Sequence, residues 1–285
     1  MRMHFPLFLI LNILASISYS FPVAAAAEEL VRFDSTPFLL GQIQQRQARE
    51  RGETPSQPPD TIQAYLSKPE GSGPFPAVVY LHGCGGLTTR TRHRVADLMT
   101  GWGYVVLAVD SFATRGMAHA CDRSMPSRQG DAWGALTYLS GLGFVDPERI
   151  AIVGASQGGN VGLELASTHQ VDLFAIPEGP KFRALVAYYP WCSVASDQLT
   201  IPALVLVGEA DDWSSASECE GWVQRRTGKG APVRLVVYPG ASHDFDNPGL
   251  ADGLRLFGHW LKYDADAAAR SVGEMHDFLQ AQFAK

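Results

Sequence analysis

After residue 75, short apolar runs alternate with longer stretches in which apolar residues recur every three or four positions. The runs are Ala77–Leu81, Tyr104–Val109, Ile150–Val153, Phe182–Tyr188, Ala203–Val207 and Val233–Val237, rich in Val, Ile, Leu and Ala with little polar alternation. Such runs suit strands that are covered on both faces. The helical period marks Arg92–Thr100, Arg128–Ser140, Gly159–Ala166, Ser214–Arg226 and Asp252–Lys262. Within Arg128–Ser140, for example, Ala132, Ala135, Leu136 and Leu139 form one apolar stripe. A last helix is expected over Ala265–Lys285, with Val272, Met275, Phe278 and Leu279 as its buried face.

Strand–helix alternation of this kind predicts a parallel sheet with helices on both faces. Two earlier runs, Leu30–Phe33 and Thr61–Leu66, are expected to add leading antiparallel edge strands. The expected fold class is thus α/β, a mostly parallel, doubly wound sheet of eight strands flanked by helices, in a single domain over residues 28–285. Residues 41–60, rich in Gln, Arg, Glu and Pro, interrupt the alternation and are expected to form a surface excursion with a short helix over Ile43–Glu50. About a dozen residues separate the run ending near Tyr189 from the next at Ala203. That is too short for an inserted cap domain, so a site at this end of the sheet should be open and shallow.

Composition adds boundaries to this picture. With 46% apolar and 18% charged residues, the chain can bury a sizeable core. Its net charge of −6 is dispersed, with no long basic run, which speaks against a nucleic-acid partner. The first 27 residues read as a secretory signal peptide. Arg2 supplies a positive start, Phe5–Ile17 an apolar segment broken by Asn12, and Val23–Ala27 a small-residue cleavage region. A membrane anchor is the rival reading, but the apolar segment is shorter than the roughly 20 residues a spanning helix needs. The mature chain is therefore expected to be exported, to the periplasm or beyond, without stable membrane insertion.

Four cysteines, Cys84, Cys121, Cys192 and Cys219, then belong to an oxidising compartment. None forms a C-x-x-C pair, so a metal site is poorly supported. Cys84 and Cys121 follow neighbouring strands in the expected order, as do Cys192 and Cys219, which predicts the pairs Cys84–Cys121 and Cys192–Cys219. Four buried free thiols are the alternative.

Candidate chemistry centres on Gly154-Ala155-Ser156-Gln157-Gly158, placed between a strand-like run and a helix-like stretch. A serine flanked by glycines on a tight strand-to-helix turn is the nucleophile elbow of the α/β-hydrolase fold. A serine hydroxyl needs a base, and the base needs a carboxylate to fix its tautomer. In this fold the acid and then the histidine follow the serine along the chain. His243, in the loop after Val233–Val237, is the expected base. His169 precedes any candidate acid, and His259 and His276 fall in stretches read as helical. Asp211, in Gly208-Glu209-Ala210-Asp211 after the strand-like Leu204–Val207, is the expected acid, with Asp212 its nearest rival and a helix cap otherwise. Asp197 and Asp110 are weaker alternatives.

An oxyanion needs two backbone N–H donors. Gln157, after the nucleophile, offers one, and Cys84 in the loop His82-Gly83-Cys84-Gly85-Gly86-Leu87 is the best position for the second. The Cys84 thiol as nucleophile and His82 as base are alternatives of lower weight. Phe112, Trp191, Trp213 and Phe245 lie near strand ends and could line a substrate pocket or simply pack.

H-G-C-G-G-L at 82–87, V-D-S-F at 109–112 with Arg115-Gly116, G-A-S-Q-G-G at 154–159, Y-Y-P at 188–190, G-E-A-D-D-W at 208–213 and P-G-A-S-H-D-F at 239–245 together resemble the dienelactone hydrolase family. The resemblance covers about residues 60–265. It implies a compact, capless hydrolase of ester or lactone bonds that uses no cofactor or metal, with its triad on Ser156, Asp211 and His243. Dienelactone hydrolases proper carry a cysteine nucleophile and an acidic residue after the histidine of the first loop. This chain has Ser156 and Gly83 there. The function expected is an exported serine hydrolase acting on a small-molecule ester or lactone through an acyl-enzyme. A peptidase or acyltransferase on the same triad, and a non-catalytic binding protein of this fold, are the competing readings.

Overall fold

The computed structural model describes residues 28–53, 58–122, 128–167, 174, 176, 178–226 and 228–285. The expected signal peptide and His169 lie outside the described residues. In chain order the elements are β1 (Glu28–Asp34), α1 (Gln42–Glu50), β2 (Thr61–Ser67), β3 (Phe75–Leu81), α2 (Thr89–Gly101), β4 (Val105–Asp110), α3 (Gln129–Ser140), β5 (Val145–Ala155) and α4 (Gln157–Leu165). There follow β6 (Ala184–Tyr188), β7 (Ala203–Gly208), α5 (Ala216–Arg225), β8 (Val233–Tyr238), β9 (Leu254–Leu256), β10 (His259–Leu261) and α6 (Ala265–Phe283).

Eight strands form one sheet in the order β1-β2-β4-β3-β5-β6-β7-β8. The β1–β2 and β2–β4 pairs are antiparallel and the rest are parallel. Alternation of side chains across the pleat builds two cores. Val79, Leu81, Leu107, Ile152, Leu185 and Val205 face α3, α4 and α5, where Leu136, Leu163 and Trp222 meet them. On the other face Val78, Val106, Val153, Val186 and Leu204 meet Met99 of α2 and Met275, Leu279 and Phe283 of α6. Burying each such side chain contributes about 1.5–3 kcal/mol, which explains why the continuous apolar runs become the central strands.

Strand order reverses around β3, whose neighbours are β4 on one side and β5 on the other. Chain leaving the carboxyl ends of β3 and β5 therefore diverges to opposite faces and opens a crevice there, the usual ligand position in such sheets. The loops after β3, β5, β7 and β8 converge on that edge. Between β6 and β7 lies only a short link with one 3-10 turn at Cys192–Val194, and no cap. No helix among the described residues is long and apolar enough to cross a membrane.

One element departs from the sequence expectation. Asp252–Lys262 is not a helix but the antiparallel β9–β10 hairpin, paired Leu254↔Leu261 and Leu256↔His259. Gly253, Phe257 and Gly258 all have positive φ, of 74°, 50° and 90°, which a right-handed helix cannot contain. The two-residue loop Phe257-Gly258, with both φ positive, is the turn that matches strand twist. Smaller shifts trim the strand expected from Phe182 to a start at Ala184 and the helix expected from Ser214 to a start at Ala216. In α6, Met275 and Leu279 are buried as expected, whereas Val272 and Phe278 are only half-buried.

Candidate active site

Ser156 sits alone between β5 and α4 with φ 51° and ψ −117°, a region that costs of order 1–3 kcal/mol for a residue other than glycine. The flanking glycines are enforced by backbone contact. A Cβ on Gly154 would lie 2.3 Å from the Gly158 carbonyl oxygen, and one on Gly158 would lie 2.0 Å from that of Leu81. Hydrogen bonds from Ser156 N to Tyr188 O and from Asn160 N to Ser156 O hold the turn in its strained shape.

Three side chains converge at this point. His243 Nε2 lies 3.1 Å from Ser156 Oγ, and His243 Nδ1 lies 2.8 Å from Asp211 Oδ2. With the Asp211 carboxylate accepting at Nδ1, Nε2 is left to accept the serine proton. The second oxygen of Asp211 accepts from Trp213 N and Ser214 N, so the carboxylate is held on both sides. Asp211 and His243 are both buried. Asp212, the rival acid, points elsewhere: its Oδ1 accepts from Trp260 N and lies 3.5 Å from His259 Nδ1. Nor does it cap α5, whose N-cap is Ser215. Asp110 is occupied by the amides of Phe112 and Ala113. His82 is buried, and its Nδ1 donates to Gly83 O. Burial, reinforced by nearby Arg128, drives its pKa well below the ordinary histidine value.

The His243 ring is packed between aromatics, with centroids 4.6 Å from Tyr189 and 5.1 Å from Trp213. Tyr189 OH contacts Asp244 Oδ1 at 2.9 Å and Asp246 Oδ1 at 2.6 Å, while Arg94 Nη1 donates to Asp246 Oδ2. Burial, then the charge of Asp246, raises the pKa of Asp244 above the usual carboxylate range. This half-buried acid pair reaches the imidazole through Tyr189 and was not anticipated from the sequence.

The loop after β3 closes over the elbow. A Cβ on Gly83 would lie 3.5 Å from Ser156 Cβ, so the loop backbone approaches Ser156 closely. Cys84 is tied to Cys121 by a disulfide, and its carbonyl accepts from Ala120 N. The second disulfide joins Cys192 to Cys219. Gln157 is the first residue of α4, where backbone N–H groups have no partner within the helix.

These groups surround a cavity of about 260 Å³ whose walls include Cys84, Ser156, Tyr189, Trp213 and His243. Of the four aromatics expected to line it, Trp213 does. Phe112 is buried against His82, Phe245 is buried among Tyr188, Tyr189 and Tyr238, and Trp191 is exposed with its indole N–H donating to Trp213 O. These three pack or face solvent because the loops turn them away from the crevice. The wall that sequence reasoning missed is the hairpin and the turn before it: Leu250, Leu254, Leu256 and Leu261 line the cavity. Its signal was Leu254-Arg255-Leu256 in strand alternation between Gly253 and Gly258. No cluster of three or more His, Cys, Asp or Glu suited to a metal occurs among the described residues.

Known proteins resemble this chain in sequence or in fold. An uncharacterised protein of Mycobacterium tuberculosis is 34% identical over 202 residues, covering 64% of this chain and 66% of that protein, just under two thirds of its length. A Bradyrhizobium protein named as a probable 2-oxo-3-(5-oxofuran-2-ylidene)propanoate lactonase is 27% identical over 201 residues, covering 64% of this chain and 78% of its own. The esterase of Pyrobaculum calidifontis superposes with a TM-score of 0.59 at 19% identity, covering 89% of this chain and 85% of the esterase, a likeness of fold. The profile of the dienelactone hydrolase family matches residues 62–283, well over half of the sequence, and the chain belongs to that family.

Proposed function

We propose that this chain is a serine hydrolase of carboxylic esters or lactones, working through an acyl-enzyme on Ser156. The observation that carries the reading is the Ser156–His243–Asp211 relay, at 3.1 Å and 2.8 Å, on a strained elbow that opens into the cavity. Ser156 Oγ attacks the ester carbonyl as His243 Nε2 takes its proton. Asp211 stabilises the imidazolium and fixes the ring. The amides of Cys84 and Gln157 are the donors for the oxyanion, and each such donor is worth about 10²–10³ in rate. The protonated His243 then returns its proton to the departing alcohol. Water, activated by the same ring, releases the acid.

Export of the mature chain after loss of residues 1–27 is part of the proposal, supported by two disulfides, which persist in oxidising compartments. A fluorophosphonate probe together with p-nitrophenyl acetate tests the reading. Wild type should be labelled and should turn over the ester, and Ser156→Ala should do neither. An unlabelled, inert wild type would turn the reading toward a non-catalytic binding protein.

A further inference from the structure

We propose that the β9–β10 hairpin selects the alcohol half of the ester, and that this half is apolar. The inference rests on the serine-hydrolase reading above and adds the substrate class. The hairpin has two distinct faces. Leu254 and Leu261 are cross-strand partners, as are Leu256 and His259, and positions two apart on a strand share a side. Leu254, Leu256 and Leu261 accordingly share one face with His259, and the three leucines line the cavity together with Leu250. Arg255 and Trp260 occupy the other face, where the guanidinium lies 5.8 Å above the indole.

The leucine face is fixed relative to the chemistry. Leu261 bridges to His243 in the backbone, and Lys262 N donates to His243 O. Trp260 N donates to Asp212, next to the catalytic acid. His259 stacks on Trp213 at 4.8 Å and 11°, and Trp213 in turn packs on the His243 ring. The hairpin is thereby joined to the base rather than to the oxyanion loop. The rest of the lining is more polar: Thr88, Thr91, Arg94, Asp244 and Asn247 bring polar side chains, and the Cys84 loop brings backbone. Leu254 keeps 46% of its surface exposed, an apolar area left open to whatever occupies the cavity.

The direction of proton transfer assigns the two halves. When the tetrahedral intermediate collapses, the bond from carbonyl carbon to alcohol oxygen breaks. That oxygen takes the proton His243 Nε2 received from Ser156. The leaving oxygen must therefore lie on the His243 side, which is the hairpin side. The carbonyl oxygen lies toward Cys84 and Gln157, and the acyl group takes the remaining direction about the tetrahedral carbon. An alcohol bearing an alkyl or aryl group meets the leucines, and a polar alcohol gains no hydrogen bond from them.

Two ester series separate the halves, with hydrolysis followed by proton release. Ethyl, n-butyl and n-hexyl acetate vary only the alcohol, and because these alkanols have similar acidity their intrinsic reactivity is nearly constant. Ethyl acetate, butyrate and hexanoate vary only the acyl group. The expected result is a rise in kcat/KM of roughly fourfold per methylene in the first series, until the cavity is filled, and less than twofold per methylene in the second. Leu254→Ser and Leu256→Ser should each cut the hexyl-to-ethyl preference at least fivefold. A flat alcohol series, a steeper acyl series, or an unchanged preference in both variants overturns the assignment while fluorophosphonate labelling of Ser156 stands. Absence of that labelling in wild type overturns the parent reading, and this one with it.

Discussion

The elbow at Ser156 and the hairpin at 254–261 both face the same cavity, yet they are held in different ways. At the elbow, backbone meets backbone: Gly158 approaches the Leu81 carbonyl and Gly154 approaches Gly158, leaving no room for any side chain. At the hairpin, backbone bonds to His243 fix only one end, at Leu261 and Lys262, and side chains hold the rest, through the His259–Trp213 stack and the Asp212 carboxylate on Trp260 N. A backbone-locked element cannot change without losing the site. A side-chain-held element can be recut while the relay stays in place. The molecule separates a fixed reaction centre from a replaceable wall.

The largest test of that separation is at the nucleophile and its relay. Ser156→Ala should lower ester turnover by about 10⁴-fold or more with no change in melting temperature. Asp211→Asn should lower kcat by about 10³–10⁴-fold, whereas Asp212→Asn should change it less than about tenfold, because only Asp211 touches His243. Steady-state kinetics on one ester reads all three.

Next comes the elbow scaffold. Gly158→Ala should destabilise the fold by about 3 kcal/mol or more in a denaturant titration, since a Cβ would stand 2.0 Å from a carbonyl oxygen of β3. At the hairpin, Gly253→Ala should cost less, about 1–3 kcal/mol, because its Cβ meets a side chain that can shift rather than backbone. Its Cβ would meet the Trp260 ring at a position with φ of 74°. It should raise KM for longer alkyl acetates more than it lowers kcat. Equal losses at the two glycines would erase the distinction.

The smallest effect belongs to the acid pair on Tyr189. Asp244 has a folded-state pKa above its unfolded value because burial and Asp246 disfavour its charge. The folded protein therefore holds that proton more tightly than the unfolded chain. Its stabilising contribution is complete below the unfolded pKa and is lost as pH rises through the folded one. Asp244→Asn, which cannot ionise, should gain stability relative to wild type between about pH 4 and pH 7, seen as diverging melting temperatures. A constant difference across that range would show that the shift is absent.

Much of this was legible in the sequence, for reasons that differ by region. The central strands were readable because strands covered on both faces must be continuously apolar, as Val78 to Leu81 and Leu204 to Val207 are. The elbow was readable because steric exclusion leaves a glycine signature. The disulfide pairs followed from strand adjacency, and both are formed. The hairpin was misread because Leu254, Phe257 and Leu261 recur at the i, i+3, i+7 spacing of a helical stripe, whereas positive φ at Gly253, Phe257 and Gly258 turns the segment into a hairpin. Pocket aromatics were misassigned for a related reason. Nearness to a strand end says nothing about which way a loop turns a ring, and Phe112 and Phe245 turn inward.

The two covalent crosslinks are unequally sheltered. Cys192 and Cys219 have no exposure, whereas Cys84 and Cys121 stand half-open at the cavity mouth. Reductants reach accessible bridges first, so brief treatment with a mild thiol followed by alkylation should tag residues 84 and 121 and spare the other pair. Opening that outer bridge would leave the loop after β3 held by contacts such as Ala120 N to Cys84 O, with the inner crosslink still in place.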